Sequence, residues 1–201
     1  MKTLYLFRHG ETDANKAGIL QGHLNTTLSS RGHRQANQLG YYSRQLDLDL
    51  IHCSDLTRAK ATAAPLLRFH SCPIIYSNQL REVSYGPLEG KVISQLNQVE
   101  LHNLQQFYQA QIPLPYAGAE PIAQLEKRLL GYLKLILDHP KQNHAIVSHG
   151  QALNYLIHLL LGWPIQKMQM LELTNCSVTE LKFDQLKWQL VRLNQDVTSI
   201  L

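Results

Sequence analysis

A short apolar run near the start of the chain stops abruptly at a cation, an imidazole and a glycine. Residues 4–7 read Leu-Tyr-Leu-Phe, a pattern typical of a strand that is buried on both faces. Arg8, His9 and Gly10 follow directly. Ligands of α/β proteins bind beyond the carboxyl ends of parallel strands, so this order predicts a functional site at a strand end. Read alone, the stretch is equally compatible with an ordinary solvated strand end.

The same order of elements occurs again in the last third of the chain. Residues 144–148 predict a short buried strand, and residues 152–161 predict a helix. His149 and Gly150 lie between the two. Parallel strands place such junctions at the same edge of a sheet, so we expect His149 to lie close to His9.

A third junction follows the strand that is predicted over residues 49–53. Ser54 and Asp55 are expected to cap a helix that runs toward Leu67 and carries Arg58. Guanidinium groups match phosphate oxygens in pairs, and a neutral histidine is a nucleophile suited to phosphorus. Two arginines and two histidines at one sheet edge therefore predict an anion site, with a phosphoryl group favoured over sulfate or carboxylate.

The rest of the chain continues the alternation of strands and helices. Ser29-Ser30 is expected to cap a helix whose apolar positions are Ala36, Leu39 and Leu46. No internal repeat or linker is visible, which favours one α/β unit. The further elements expected are an edge strand over 72–76, helices over 92–108 and 121–137 with Pro121 as the first residue of the latter, and a hairpin of strands over 174–183 and 187–193.

A predicted loop over residues 81–90 supplies a carboxyl group, that of Glu82. A carboxyl group close to phosphoryl charge favours its protonated form, which suits a proton donor to the leaving oxygen. Glutamate is mostly exposed in proteins, so the loop position alone more often indicates an ordinary solvated side chain.

Composition and charge narrow the class of protein. The chain has 201 residues, 44% of them hydrophobic and 17% charged, which is enough to bury the core of a globular domain. The net charge of +4 and the pI near 9.0 favour anionic partners, but the basic residues are scattered, so a nucleic-acid binder is not expected. The ten histidines show no helix-face pair spacing of the His-x-x-x-His kind, so a metal site is not expected either.

Location is also constrained by the sequence. No apolar run is long enough to span a bilayer, and the run after Lys2 reaches Arg8 too soon for a signal peptide. The odd, sparse set of three cysteines argues against a disulfide framework. We therefore expect a cytoplasmic protein without a membrane partner.

As an ordered set, these motifs resemble the histidine phosphatase superfamily, which includes the phosphoglycerate mutases. The match covers nearly the whole chain, and the ordered set is far more specific than a single Arg-His-Gly. The matching pieces are Arg8-His9-Gly10-Glu11-Thr12 with Asn15, Gln21-Gly22 with Thr27-Leu28, Gly32 with Gln35-Ala36, Ser54-Asp55-Leu56 with Arg58-Ala59 and Thr62-Ala63, Leu80-Arg81-Glu82 with Gly86 and Glu89-Gly90, Val147-Ser148-His149-Gly150, and Asn175-Cys176-Ser177.

The resemblance implies a phosphoglycerate mutase-like fold, a three-layer α/β/α sandwich with a mostly parallel central sheet. Residues 1–201 would form a single domain, with residues 82–120 as a roof that sets substrate selectivity. His9 would become the phosphohistidine, and Glu82 would be the proton donor. The other residues implied are Arg8, Arg58 and His149 in the phosphate pocket, and Asn15, Gln21, Gly22 and Gly150 in substrate binding. No organic cofactor or metal is implied.

Some positions depart from the family pattern and bear on the substrate. Pro121 stands where a serine is frequent, Leu88 where a tryptophan is frequent, and Gln151 where a second glycine is frequent. These departures concern the shape of the substrate rather than the catalytic groups.

The expected function is hydrolysis of a small phosphorylated substrate. Residues 92–114 contain no lysine or arginine and one acidic residue, Glu100, so little positive charge is available there for a second phosphate. The alternatives are a primer-dependent phosphoglycerate mutase and a non-catalytic phosphate-binding module. The sequence leaves the physiological substrate and the oligomeric state open, a homodimer included.

Overall fold

The computed structural model describes residues 1–110 and 112–197, and within them six strands form one sheet. The strand order is β3-β2-β4-β1-β5-β6, and β5 runs in the direction opposite to the other five strands. This confirms the predicted mostly parallel sheet, the edge position of β3 and the final hairpin. The strands are β1 (Lys2–Arg8), β2 (Leu50–Ser54), β3 (Ile74–Ser77), β4 (Asn143–Ser148), β5 (Val178–Phe183) and β6 (Trp188–Gln195).

Helices cover both faces of this sheet. Along β1, Leu4 and Leu6 pack into one hydrophobic core, and the alternate residues Tyr5 and Phe7 pack into another. The first core contains residues of α4, α5 and α6, and the second contains residues of α2 and α3. The three-layer arrangement is therefore confirmed. The helices are α1 (Asp13–Lys16), α2 (Ser30–Ser43), α3 (Thr57–Ala63), α4 (Gln98–Ala110), α5 (Ile122–Asp138) and α6 (Gly150–Leu161).

The register of the central strands aligns their carboxyl ends. Arg8 lies opposite Ser148 in the parallel β1–β4 pair, and the backbone N–H of His9 donates to the Ser148 carbonyl at 2.9 Å. On the other side of β4, Cys53 of β2 lies opposite Val147. All three predicted junctions consequently open at the same edge of the sheet.

The helix after β2 begins later than predicted. Its N-cap is Leu56, whose own side chain cannot cap it, and the Asn25 side chain instead accepts from the backbone N–H of Thr57 at 2.7 Å. Asp55 cannot serve as the cap because both of its carboxylate oxygens accept hydrogen bonds from Arg81, each at 2.6 Å. The α-helix ends at Ala63, and a 3₁₀ segment containing Pro65 continues the chain. By contrast, the predicted Ser29 cap is confirmed, since its hydroxyl accepts from the backbone N–H of the third residue beyond it at 3.0 Å.

The helix predicted over 92–108 is divided. A 3₁₀ turn spans Ile93–Gln95, and α4 starts only at Gln98. Asn97 and Glu100 explain this boundary, because each side chain accepts a hydrogen bond from the other residue's backbone N–H, at 2.9 and 3.2 Å.

Two further boundaries shift slightly. Pro121 is the N-cap of α5 rather than its first residue, because its ψ of 143° is extended. Leu46 is buried but lies beyond Ser43, where α2 ends. The single-domain boundary of 1–201 stays a prediction, and it includes residues 111 and 198–201, which lie outside the described part; residue 111 also falls within the predicted roof.

In the described part of the chain, none of the helices combines the length and the apolar character that a bilayer crossing requires.

Two helical glycines have opposite environments, and we predict opposite effects on stability. A Cβ added at Gly32 overlaps the backbone oxygen of Glu11, whereas a Cβ at Gly131 meets nothing within 4 Å. Gly32→Ala is expected to lower the free energy of unfolding by about 1–3 kcal/mol through overpacking. Gly131→Ala, as the matched control, is expected to raise it by about 0.5–1 kcal/mol through helix propensity. Urea denaturation measures both; a stabilised Gly32→Ala protein contradicts the close packing of this turn.

Candidate active site

A cavity of about 460 Å³ lies at the carboxyl ends of the central strands. Eight of the nine residues that the sequence singles out line it, although they come from distant parts of the chain. They are Arg8, His9, Asn15, Gln21, Gly22, Arg58, Glu82 and Gly150. The ninth, His149, is fully buried behind the wall.

The imidazole of His9 has one nitrogen engaged and one available. Its Nδ1 lies 2.7 Å from the Gly10 carbonyl oxygen, an acceptor, so Nδ1 carries the proton and Nε2 carries the lone pair. Burial and the nearby guanidinium groups of Arg58 and Arg8 hold the pKa of His9 well below its usual value. His9 is therefore neutral at physiological pH, which is the state a nucleophilic imidazole requires.

His149 supports its neighbours rather than lining the cavity. Its Nδ1 accepts a hydrogen bond from Arg58 Nε at 3.1 Å, which leaves Nε2 to donate to the Ser54 hydroxyl at 2.7 Å. Its ring centroid is 5.1 Å from that of His9. Burial, followed by the charge of Arg58, lowers the pKa of His149 well below its usual value. His149 is not among the residues that line the cavity, and its expected role in the phosphate pocket stays a prediction.

Arg58 is almost completely buried and is tied to the loop after α1. One terminal nitrogen donates to the Leu24 carbonyl and the other to the Gly22 carbonyl, each at 2.7 Å. Burial lowers the pKa of Arg58 to about 10, so the guanidinium remains charged at neutral pH. Gly22 has φ of 48°, and a Cβ there would overlap the carboxylate of Glu89, so glycine is required at this turn.

Arg8 presents an unused donor. Its terminal NH1 donates to the Leu173 carbonyl, while its buried Nε has no hydrogen-bond partner among residues 1–110 and 112–197. A Cβ at Gly150 would lie 3.3 Å from that Nε, so the glycine keeps the space beside it open. Burial lowers the pKa of Arg8, and the carboxylates of Glu82 and Glu172 oppose this effect. The Nε–H of Arg8 is thus a preformed site for an anionic oxygen.

The carboxylate of Glu82 is held by the first turn of α6. One oxygen accepts from the backbone N–H groups of Val83, at 3.0 Å, and Ala152, at 2.9 Å; the other accepts from that of Gln151 at 3.0 Å. The side chain is therefore not the solvated loop residue that its sequence context also allows. It lies on the cavity wall at a helix N-terminus, where negative charge is favoured.

The backbone of Glu82 is fixed as well. Its carbonyl oxygen accepts from His23 Nε2 at 2.8 Å and from Arg128 at 3.0 Å. Arg128 in turn forms a two-point ion pair with Glu120, at 2.6 and 2.8 Å. Sequence reasoning missed this support, because nothing in the local pattern links residue 128 of a helix to a loop more than forty residues earlier.

Asn15 and Gln21 use their amide oxygens for local structure. Asn15 Oδ1 accepts from the backbone N–H of Thr12 at 3.1 Å, and Gln21 Oε1 accepts from the hydroxyl of Thr26 at 2.5 Å. Within the described residues, neither amide nitrogen has an acceptor. Both remain as donors on the cavity wall.

One wall of the cavity was not predicted. The segment after α6 contributes Met168, Gln169 and residues 171–173. Tyr85 and Tyr108, which also line the cavity, come from the range 82–120 that the sequence analysis expects above the site. The two phenol oxygens are 3.1 Å apart, and burial raises both phenol pKa values, that of Tyr108 to about 12. The available sequence signal was modest: the glycine and proline that follow α6 end the helix but do not say where the chain returns.

Taken as chemistry, the wall offers a neutral imidazole, two guanidinium groups and a carboxyl group around one space. Such a set can bind a phosphoryl group, attack it and exchange a proton with it. In the part of the chain that is described, no group of three or more histidine, cysteine, aspartate or glutamate side chains is arranged to hold a metal ion.

Known proteins similar to this chain match it over nearly its full length. The model of the histidine phosphatase superfamily (branch 1) matches residues 4–196. A protein named "Probable phosphoglycerate mutase GpmB", from Salmonella choleraesuis (strain SC-B67), is 33% identical over 189 residues, which cover 94% of this chain and 88% of that protein.

Two solved structures show the same fold. The alpha-ribazole phosphatase from Shigella flexneri superposes with a TM-score of 0.84 at 30% identity, over 96% of each chain. A mutant phosphoserine phosphatase from Entamoeba histolytica, solved in complex with phosphoserine, superposes with a TM-score of 0.85 at 26% identity, over 99% of this chain and 100% of that chain.

The buried histidines predict a specific dependence of stability on pH. Burial lowers the pKa of His9, His52, His144 and His149, so each is neutral in the folded protein. In the unfolded chain each takes up a proton below about pH 6.5. The unfolded state therefore binds more protons, and the stability that is present above this pH is lost as the pH falls, by up to about 1.4 kcal/mol per pH unit for each histidine.

Guanidinium denaturation at about pH 7.5, 6.5 and 5.5 measures this slope. In the variant His9→Asn, the slope of the free energy of unfolding against pH is expected to be smaller by the contribution of about one proton. A free energy of unfolding that stays constant between the highest and lowest pH contradicts the neutral, buried state of these rings.

Proposed function

This chain belongs to the histidine phosphatase superfamily, and we propose that it hydrolyses phosphomonoesters through a phosphohistidine intermediate on His9. The observation that carries the proposal is the state of that imidazole. It is neutral, its Nδ1–H is anchored to the Gly10 carbonyl, and its ring lies on a cavity wall beside two guanidinium groups. A positively charged histidine would bind an anion more strongly than a neutral one. The neutral ring of His9 therefore favours catalysis over a simple phosphate-binding module.

In the first step, the phosphoryl oxygens occupy the space next to Arg8 and Arg58. These oxygens accept hydrogen bonds from the unpaired Nε–H of Arg8, from a remaining N–H of Arg58 and from the backbone N–H of Gly150 at the start of α6. The lone pair on His9 Nε2 attacks phosphorus, a P–N bond forms and the bond from phosphorus to the ester oxygen breaks. The guanidinium groups stabilise the charge that spreads over the phosphoryl oxygens in the transition state.

Glu82 completes both steps by moving a proton. The charge of the bound phosphoryl group favours uptake of a proton by Glu82, which donates it to the ester oxygen as that oxygen leaves, so the product departs as a neutral alcohol. The resulting carboxylate then accepts a proton from a water molecule that attacks the phosphohistidine. The P–N bond breaks, inorganic phosphate forms, and His9 returns to its neutral state. The backbone N–H groups of α6 keep the carboxylate in place throughout.

Charge on the cavity wall favours hydrolysis over phosphate exchange. A mutase must retain a bisphosphorylated intermediate, which needs cations for two phosphates. Among the described residues that line the cavity, Arg8 and Arg58 are the only cations, and Glu82 and Glu172 offset them. The 33% identity to a protein with a mutase name keeps primer-dependent phosphoglycerate mutase as the second candidate.

We infer a small phosphorylated substrate and a cytoplasmic location as finer parts of this proposal. The site is a cavity of about 460 Å³. The three cysteines are all free, and Cys53 and Cys176 are buried, which suits a reducing compartment.

The central test replaces the nucleophile. We expect the wild-type protein to release inorganic phosphate from p-nitrophenyl phosphate and from a panel of alkyl phosphates, and His9→Ala to lower this release by about 10⁴-fold or more. The exposed His33→Ala is the matched control and is expected to keep full activity. Acid-labile labelling from a ³²P ester should appear on the wild-type protein and not on His9→Ala.

Interconversion of 2- and 3-phosphoglycerate is assayed on the same samples, with and without a bisphosphoglycerate primer. Dominant phosphate release supports the phosphatase. Primer-dependent isomerisation with little release overturns it in favour of the mutase, and a folded protein with neither activity favours the binding module.

A second test concerns the proton donor. Glu82→Gln removes the exchangeable carboxyl proton, so we expect turnover of alkyl phosphates, whose leaving groups are poor, to fall by about 10²-fold or more. Turnover of p-nitrophenyl phosphate should fall much less, because nitrophenolate leaves without a proton. Glu126→Gln, a partly buried glutamate outside the cavity, is the control. Equal losses on both classes of ester argue against proton donation by Glu82.

A further inference from the structure

The cavity extends beyond the groups that hold the phosphoryl moiety, and that part has its own chemistry. Its side chains are mainly apolar or uncharged, so it must surround the alcohol portion of an ester. Past Arg8 and Arg58, no described residue that lines it is cationic. The apolar and aromatic members are Ile19, Leu20, Tyr85, Ile93, Tyr108, Met168, Leu171 and Leu173.

Asn154 lies on the wall of this part of the cavity and carries an acceptor of fixed orientation. Its Nδ2 donates to the carbonyls of Met168, at 2.9 Å, and Leu171, at 2.7 Å. Because both partners are acceptors, the amide cannot be reversed, and Oδ1 must point away from them. Oδ1 is buried, and within the described residues it has no donor. A buried acceptor without a donor is costly, so it favours a ligand that supplies one.

Glu172 lies on the same wall and is exposed. Its charge is close enough to Arg8 to raise the pKa of that guanidinium against the effect of burial. The segment that presents it is held at three successive carbonyls, those of residues 171, 172 and 173. Asn154, Asn194 and Arg8 are the respective donors. The carboxylate is therefore presented from a fixed backbone beside the phosphoryl site.

From these contacts we propose that the enzyme selects phosphomonoesters of uncharged or cationic alcohols that carry a hydrogen-bond donor, with Glu172 as the specificity-determining residue. An ammonium or hydroxyl group on the alcohol pairs with the Glu172 carboxylate and the Asn154 acceptor. A carboxylate or second phosphate at that position meets the Glu172 carboxylate and an amide oxygen, and no cation beyond Arg8 and Arg58 lines the cavity in the described residues. This inference rests on the proposed phosphatase reaction.

The test compares two esters of similar size and opposite charge, O-phosphoethanolamine and phosphoglycolate. Their intrinsic reactivities differ, so the ratio of their kcat/KM values is measured for the wild type and for each variant. The change in this ratio between two proteins is the informative quantity, because the intrinsic difference cancels in it. Glu172→Gln is expected to lower the ratio of the cationic to the anionic ester by about tenfold. Both esters are also measured as competitive inhibitors of p-nitrophenyl phosphate turnover, which reports binding where turnover is slow.

Asp138→Asn is the charge-matched control, because Asp138 lies at the exposed end of α5 and pairs with Lys134. It removes one negative charge outside the cavity and should leave the ratio unchanged. A ratio unaffected by Glu172→Gln, or shifted equally by both variants, overturns the role of Glu172. A wild-type enzyme that hydrolyses p-nitrophenyl phosphate but binds phosphoglycolate more tightly than O-phosphoethanolamine overturns the substrate class alone. Failure to hydrolyse any ester overturns the proposed function itself.

Discussion

The parallel pairing of β1 with β4 is the constraint on which the rest of the site depends. Each strand is followed by a histidine and a glycine, and the register sets Arg8 opposite Ser148. This pairing places the two histidines side by side, and their ring centroids are 5.1 Å apart. A shift of one residue would turn alternate side chains to the other face of the sheet, and both cores would lose their apolar contacts. The packing that stabilises the fold therefore also sets the geometry of the chemistry.

Burial gives the site its electrostatic character. Two guanidinium groups are withdrawn from water, and backbone carbonyls and the ring of His149 replace part of the lost solvation of Arg58. The same dry surroundings keep His9 and His149 neutral. The site is thus arranged for an anion before any ligand arrives, and little reorganisation remains for the reaction. Glu82 follows the same logic, because helix N–H groups rather than water hold its carboxylate.

The functional residues at the strand ends could be predicted from the sequence because the patterns that indicate them are local. The apolar run before Arg8, the second His-Gly junction and the carboxyl group of Glu82 all stand in short, ordered patterns, and the six strands follow from similar runs. What the sequence does not reveal depends on distant contacts. The ring of His149 is hydrogen-bonded to Arg58, and the segment after α6 returns to Asn154, which donates to the Leu171 carbonyl. The start of α4 was missed for a different reason: the Asn97–Glu100 cap is a local signal, and the apolar periodicity before it concealed the break.

The way residues 171–173 are anchored has a consequence for how this protein can change over evolutionary time. All three anchoring bonds end on carbonyl oxygens, which every amino acid possesses. A codon change at position 172 can therefore exchange the side chain presented to the substrate without releasing the segment from the scaffold. One of the anchors is Arg8 itself, so a drifting mutation that loosened the segment would also disturb phosphate binding and be removed by selection. The side chain at position 172 is therefore freer to vary than the backbone that presents it. Substitutions there can change the preferred substrate while the reaction stays the same.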